Sequence, residues 1–130
     1  MPSEIKFVSK KRGINGVRWN IVNEDYLKWE CDRKFEFIVG NPPYITYQEL
    51  DEENRDYVRK KFSTCEKGKF DYCYAFIERS VDSLSDDGKM SYLIPSSIFK
   101  TVFGKNFVLI LNHTYKKYMT ILRIKCLMMY

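Results

Sequence analysis

The tetrapeptide Asn41-Pro42-Pro43-Tyr44 directly follows an apolar segment, and its residue types could bind a planar amine. Two successive prolines fix their φ angles, so the loop would hold the Asn41 side-chain oxygen and the Pro42 carbonyl oxygen in a preset arrangement. If both oxygens accept hydrogens from one amino group, they favour a pyramidal and more nucleophilic nitrogen, which stabilises a transition state through fixed dipoles. Tyr44 would offer the attached ring a stacking face. A simple Asn-Pro turn would explain only Asn41 and Pro42.

The flanking residues predict the elements that must position this loop. In chain order they are a strand at 17–22, a strand at 35–39, helices at 48–62 and 71–84, a strand at 90–94 and a helix from Ile98. We expect the second strand to be buried on both faces, and the second helix to end at Asp86-Asp87-Gly88. Helices between apolar strands imply parallel pairing, so the fold class is α/β and the loop lies where such sheets bind ligands.

Composition narrows the class of protein. The chain has 130 residues, of which 45% are hydrophobic, so it can form one compact domain with a core. Short apolar runs and an N-terminus unlike a signal peptide predict a cytoplasmic protein without a membrane span. The four cysteines form no Cys-x-x-Cys pair and His113 is the only histidine, which argues against a metal site and favours reduced thiols. The +5 charge lies in residues 105–130, so it does not by itself predict nucleic-acid binding.

Three linked segments carry a resemblance to a known family. They are residues 35–45, which include the tetrapeptide, Gly68-Lys69-Phe70-Asp71, and residues 88–96. There the sequence resembles the S-adenosylmethionine-dependent amino-group methyltransferases, and more narrowly the adenine-specific DNA methyltransferases of restriction-modification systems. The resemblance covers residues 21–114. It implies a partial Rossmann-like fold with a mostly parallel sheet and flanking helices, and transfer of a methyl group to the N6 amino group of adenine.

The resemblance also implies roles for the tetrapeptide. Asn41 and the Pro42 backbone resemble the acceptors of the adenine amino group. Pro43, together with Asn41, resembles the part of the loop that lies against S-adenosylmethionine.

The partner that the resemblance implies is double-stranded DNA with one adenine flipped out of the helix. Tyr44 resembles the residue that stacks on this base. Lys67 and Lys69 could contact DNA phosphates, although exposed lysines beside a glycine usually have no specific role.

Two further groups of residues match the family outside the tetrapeptide. Asp25 resembles the acidic residue that accepts from the adenine of S-adenosylmethionine, with Tyr26 beside that ring; the alternative is ordinary turn chemistry. Asp71, Tyr72 and Phe76 match a segment near the active-site cleft, or alternatively a helix cap with core aromatics.

The sequence also departs from the family pattern. It has no Phe-x-Gly-x-Gly motif before Asn41 and no room for a target-recognition domain. We therefore expect residues 1–117 to be the central and C-terminal part of a methyltransferase catalytic domain, inactive alone, with an upstream segment or separate chain supplying the missing parts. Residues 118–130 contain no acidic residue, and a shifted reading of one permitted coding sequence resembles the family's next strand. We expect an anomalous basic tail that is out of frame, the alternative being a genuine amphipathic end.

Two other functions fit the same residues. Asn-Pro-Pro-Tyr loops also bind the planar amines of RNA bases and of protein glutamine, and the chain could be a non-catalytic remnant. Gly68-Lys69-Phe70-Asp71 and the Tyr47-Gln48-Glu49-Leu50 continuation favour DNA, whereas the missing glycine motif favours the remnant.

Overall fold

The computed structural model describes Gly16, residues 20–95, Gly104, Lys105 and Leu109. The elements of this part are β1 (Phe35–Gly40), α1 (Glu52–Lys61), a short 3-10 helix (Ser63–Cys65), α2 (Cys73–Ser83) and β2 (Leu84–Tyr92). Ile98, where a helix is predicted to begin, lies outside the described residues, and so does the tail at 118–130.

The two strands pair in parallel, with Ile38 opposite Met90 and Gly40 opposite Tyr92. The chain passes through α1 and α2 between them, as a parallel connection requires. This arrangement confirms the predicted α/β class and is consistent with the partial Rossmann-like fold that the resemblance implies.

One face of β1 is open, contrary to the prediction that both faces are buried. Phe37 is 70% exposed and Val39 is 83% exposed. In the described residues the core packs against the opposite face of the sheet, which carries Met90 and Tyr92 of β2. In the described part of the chain, the apolar composition of β1 therefore does not correspond to burial on both faces.

The strand predicted at 17–22 is not seen in the residues that the structure describes. Asn20, Ile21 and Val22 are exposed and belong to no strand, while positions 17–19 lie outside the described part. The alternating pattern therefore does not produce a strand at residues 20–22, and the described sheet contains only β1 and β2.

Helix α1 begins later than its predicted start at Gln48. Asp51 is its N-cap, since its side chain accepts from the backbone N–H of Asn54 at 2.8 Å. Residues 46–50 form a turn instead, in which the N–H and hydroxyl of Thr46 donate to the Glu49 carboxylate. The basic residues of the last turn, Arg59, Lys60 and Lys61, lie at the negative end of the helix dipole.

The end of α2 and the start of β2 also differ from the prediction. Helix α2 ends at Ser83, and Leu84 already belongs to β2. Gly88 was expected to stop the helix, but it lies inside β2, where a Cβ would approach the Phe35 carbonyl oxygen to 2.8 Å. Glycine is required there for close approach to β1, not for a helix cap. β2 ends at Tyr92, short of the predicted Ile94.

The core lies between the helices and one face of the sheet. Its buried apolar residues are Leu27, Leu50, Val58, Phe62, Cys65, Phe70, Cys73, Tyr74, Ala75 and Ile77. Cys65 and Cys73 are buried and form no disulfide with any described residue. Among the described residues no helix is long and apolar enough to cross a bilayer, and no three metal-binding side chains are grouped to hold an ion.

A buried carboxylate joins α2 to the 3-10 helix. Glu78 is 5% exposed. Its Oε1 accepts from the N–H and hydroxyl of Ser63, and its Oε2 accepts from the N–H and hydroxyl of Thr64, at 2.6 to 2.9 Å. Glu78 thereby satisfies the free N–H groups at the start of the 3-10 helix.

Candidate functional site

The Asn41–Tyr44 loop (Asn41-Pro42-Pro43-Tyr44) starts at the carboxyl edge of the sheet. Asn41 follows Gly40, the last residue of β1, and the N–H of Leu93 donates to the Gly40 carbonyl at 3.0 Å. β2 ends at the same edge with Tyr92, opposite Gly40. The predicted position of the loop is therefore confirmed, at the edge where open α/β sheets bind ligands.

Gly40 must be a glycine because of Tyr92. A Cβ at position 40 would lie 2.8 Å from Cε1 of the Tyr92 ring. The ring of Tyr92 thus passes directly over the backbone that leads into Asn41. This contact holds the backbone at the start of the Asn41–Tyr44 loop in place.

Asn41 and Tyr44 are brought together as a pair. The Tyr44 hydroxyl lies 2.5 Å from Oδ1 of Asn41 and 2.7 Å from the carbonyl oxygen of Leu93. One hydroxyl has one proton, so it donates to one of these oxygens at a time or shares it between them. Tyr44 is 50% exposed and Asn41 is exposed, whereas Pro42 is buried. The side chains of Asn41 and Tyr44 are therefore both accessible to solvent at the strand ends.

The exit of the loop is held by the start of α2. The N–H of Tyr72 donates to the Ile45 carbonyl at 2.9 Å, and Thr46 forms an antiparallel bridge with Asp71. Burial raises the pKa of Asp71, and a hydrogen bond with Tyr74 opposes that effect. The segment at 71–76 thus lies beside the loop, as the resemblance implies.

Asp25 sits in a turn that it stabilises itself. Its Oδ1 accepts from the Leu27 N–H at 3.0 Å, and its Oδ2 lies 4.0 Å from the Lys28 ammonium group. Asp25 therefore makes the turn contact that the alternative interpretation of this residue predicts. Among the residues that the structure describes, Oδ2 contacts only the exposed Lys28, so the carboxylate can still accept a further hydrogen bond.

Tyr26 meets the 71–76 segment through aromatic contacts. Its ring stacks on Phe76 with centroids 5.7 Å apart, and Phe76 contacts Tyr72 edge-on at 5.3 Å. Burial raises the pKa of Tyr72, and the Asp25 charge adds to that effect. Tyr72 thus lies between the Asp25–Tyr26 turn and the Asn41–Tyr44 loop, and both groups of predicted residues converge on the start of α2.

Lys67 and Lys69 are exposed in a separate turn whose middle residue, Gly68, has φ +76°. A guanidinium N–H of Arg59 donates to the Gly68 carbonyl at 3.0 Å, and the same group lies over the Tyr47 ring. This contact ties the lysine turn to α1. It leaves both ammonium groups exposed to solvent.

Sequence reasoning missed Ser80 and Tyr92. Ser80 is completely buried in α2, and its hydroxyl is hydrogen-bonded with the hydroxyls of both Tyr26 and Tyr92. One signal could have pointed to Tyr92: it ends a strand that is parallel to β1, so it had to reach the same edge as Asn41.

Comparison with known proteins identifies the family. The sequence profile of the Eco57I restriction-modification methylase family matches residues 4–124, which include the first part of the basic tail. The chain is 30% identical over 100 residues to the type II methyltransferase M.BstVI of Geobacillus stearothermophilus, a match that covers 74% of this chain and 18% of that protein.

Two further relatives are also methyltransferases by name. The type II methyltransferase M.AccI of Acinetobacter calcoaceticus is 31% identical over 66% of this chain and 16% of its own length. The modification methylase CviBIII of Paramecium bursaria Chlorella virus NC1A is 35% identical over 65% of this chain and 20% of its own length. The chain thus spans about a fifth or less of these relatives. It belongs to the Eco57I restriction-modification methylase family.

Proposed function

We propose that this chain carries the amine-binding part of a DNA methyltransferase that transfers a methyl group from S-adenosylmethionine to the N6 amino group of adenine. The observation that carries the proposal is the pairing of Asn41 Oδ1 with the Tyr44 ring at the carboxyl edge of the sheet. Family membership supports methyl transfer, and the names of the relatives describe methyltransferases of restriction-modification systems.

The Asn41–Tyr44 loop binds and activates the amine. The two amino hydrogens donate to Asn41 Oδ1 and to the Pro42 carbonyl oxygen, which draws the nitrogen lone pair out of conjugation with the ring. The lone pair then forms the new N–C bond while the methyl–sulfur bond breaks, with its electron pair left on sulfur. The amino group passes one proton to water.

The Asp25–Tyr26 turn fits the adenine end of the methyl donor. The groups available to bind it are a carboxylate oxygen that can accept a further hydrogen bond, the aromatic ring of Tyr26, and the Phe76–Tyr72 pair beside that ring. When bound, S-adenosylmethionine supplies a methyl group on a positively charged sulfur. Asp25 would accept from the adenine amino group of the donor, Tyr26 would pack beside its ring, and Asn41 and Pro43 would contact the donor from the other loop.

Tyr44 binds the base that carries the amine. Its half-exposed ring offers a stacking face for an adenine flipped out of double-stranded DNA. Lys67 and Lys69 lie in an exposed turn, where they can contact phosphates of the same DNA. A separate segment or chain supplies the grip on the methionine end of the donor and the recognition of a DNA sequence.

A chimera tests the proposal against its alternatives. Residues 20–95 replace the matching segment of M.BstVI, and the folded chimera is incubated with labelled S-adenosylmethionine and DNA, RNA or a glutamine peptide. We expect N6-methyldeoxyadenosine from double-stranded DNA, identified by mass spectrometry of the nucleosides. Methylation of RNA or of glutamine would establish the alternative substrate. A folded chimera that binds the donor and methylates nothing would indicate a non-catalytic remnant.

A further inference from the structure

Three hydroxyl groups form a continuous hydrogen-bonded chain through the interior. The Tyr26 hydroxyl lies 2.8 Å from the Ser80 hydroxyl, which in turn is hydrogen-bonded to the Tyr92 hydroxyl. Ser80 has no exposed surface, and burial raises the pKa of Tyr92 to about 12. The Tyr92 hydroxyl therefore stays protonated at neutral pH and can take part in this chain.

The two ends of this chain lie on the two loops of the candidate site. Tyr26 belongs to the turn that carries Asp25. Tyr92 lies against Gly40, and its neighbour Leu93 accepts from the Tyr44 hydroxyl and donates to Gly40. Tyr92, at the end of β2, and the next residue, Leu93, thus make three contacts with Gly40 and Tyr44, at the two ends of the Asn41–Tyr44 loop. The hydroxyl chain connects these contacts to the other loop.

Ser80 differs from an ordinary helical serine in the partners of its hydroxyl group. Ser83, one turn later in α2, donates to the carbonyl of Arg79 at 2.8 Å, which is the usual local choice for a serine in a helix. The Ser80 hydroxyl instead joins two tyrosines that are 54 and 12 positions away in sequence. A buried hydroxyl needs partners, so this arrangement ties both loops to one atom.

We propose that Ser80 and Tyr92 are positioning residues, which set the distance between the Asp25–Tyr26 turn and the Asn41–Tyr44 loop. In the proposed reaction, on which this inference rests, the first loop holds the methyl donor and the second holds the amine. Methyl transfer needs the reacting atoms about 3 to 3.5 Å apart and in line, and an error of about 1 Å can cost roughly 10²-fold in rate. A rigid link between the two loops meets this requirement.

Amide hydrogen exchange on the full 130-residue chain tests the link without any methyl transfer. Tyr26→Phe removes one end of the hydroxyl chain. We expect exchange to accelerate roughly five- to tenfold at the amide of Leu93, which donates to Gly40 at the start of the other loop. This is the effect of losing one buried hydrogen bond. Ser80→Ala should do the same, and Ser80→Thr, which keeps the hydroxyl, should restore slow exchange.

Tyr57→Phe is the matched control. The Tyr57 hydroxyl donates to the carbonyl of Leu27 at 3.0 Å, so this variant also removes a tyrosine hydrogen bond to the turn at residues 25–28. It does not touch Ser80. If Tyr57→Phe accelerates exchange at Leu93 as much as Tyr26→Phe does, or if neither variant changes it, the positioning role is wrong.

A kinetic measurement on the chimera separates this inference from the proposed function. Ser80→Ala should lower kcat roughly 10-fold or more while the KM values for donor and DNA stay within about twofold, and Ser80→Thr should recover most of kcat. Equal effects on kcat and both KM values would indicate a merely structural serine. If the exchange result holds but Asn41→Ala leaves methylation intact, the link stands and the proposed function fails.

Discussion

The Tyr44 hydroxyl lies 2.5 Å from the side-chain oxygen of Asn41, so the stacking residue and the amine acceptor of the proposed site touch each other. This contact gives the hydroxyl a role that stacking alone does not require. By donating to Oδ1, it selects which end of the Asn41 amide faces the amine. The same hydroxyl lies 2.7 Å from the Leu93 carbonyl oxygen, so it can donate its hydrogen bond there instead.

Substitutions at Tyr44 should therefore separate the ring from the hydroxyl. Tyr44→Ala should weaken capture of the flipped base by about 1 to 3 kcal/mol, because the stacking face is lost. Tyr44→Phe should keep base capture but lower turnover severalfold, because Asn41 loses its donor. Fluorescence of 2-aminopurine at the target position reports capture in the chimera. If Phe abolished the signal while Ala preserved it, the stacking role would be wrong.

Glu78 should be a major contributor to stability. Glu78→Gln leaves one carbonyl oxygen to serve four donors on Ser63 and Thr64, so we expect the free energy of unfolding to fall by roughly 1.5 to 3 kcal/mol. Urea denaturation measures this change. Glu24→Gln, at an exposed position, is the control and should stay within about 0.5 kcal/mol. Equal, small effects of the two variants would contradict the role of Glu78.

The fold should lose stability in alkaline solution. Burial raises the pKa values of Cys65 and Cys73 from 9.0 to about 12 and that of Tyr92 from 10.0 to about 12. The folded state therefore holds these protons more tightly than the unfolded chain, and stability falls as the pH rises from about 9 toward 12. Urea midpoints between about pH 8 and pH 11 test this. Tyr92→Phe should show a smaller decline above about pH 10, and a midpoint that rises with pH would contradict the assignment.

The 130-residue chain alone should bind S-adenosylmethionine weakly. Asp25 and Tyr26 can hold the adenine end, but the sequence contains no Phe-x-Gly-x-Gly loop to bind the methionine end. Titration calorimetry gives the dissociation constant directly, with Asp25→Ala as the variant that should reduce the remaining affinity. A value in the low micromolar range would show that other residues of this chain complete the site.

The sequence predicted the parts of the site that depend on local chemistry. Two prolines stiffen the loop wherever it lies, and the apolar run before Asn41 has the composition of a strand, so β1 and the position of the loop at its carboxyl end could be inferred. Parallel pairing followed from the two helices between the strands.

The parts that the sequence did not predict depend on contacts between distant residues. Nothing local distinguishes Ser80 from Ser83, yet only the first joins Tyr26 to Tyr92. Gly88 has the sequence signature of a helix end, but the approach of β2 to the Phe35 carbonyl decides its role. The open face of Phe37 could not be foreseen either, because strand composition does not say which faces a neighbour covers.

The most direct measurement of the central claim is the rate of adenine methylation by the chimera with Asn41→Ala. Removing the amide oxygen should lower turnover roughly 10²-fold or more, as when one donor of an oxyanion hole is deleted, while affinity for S-adenosylmethionine changes by only a few-fold. Asn20→Ala, at an exposed position outside the loop, should leave both values unchanged. If methylation of adenine N6 survives Asn41→Ala within a few-fold, Asn41 does not activate the amine and the account of this site is contradicted.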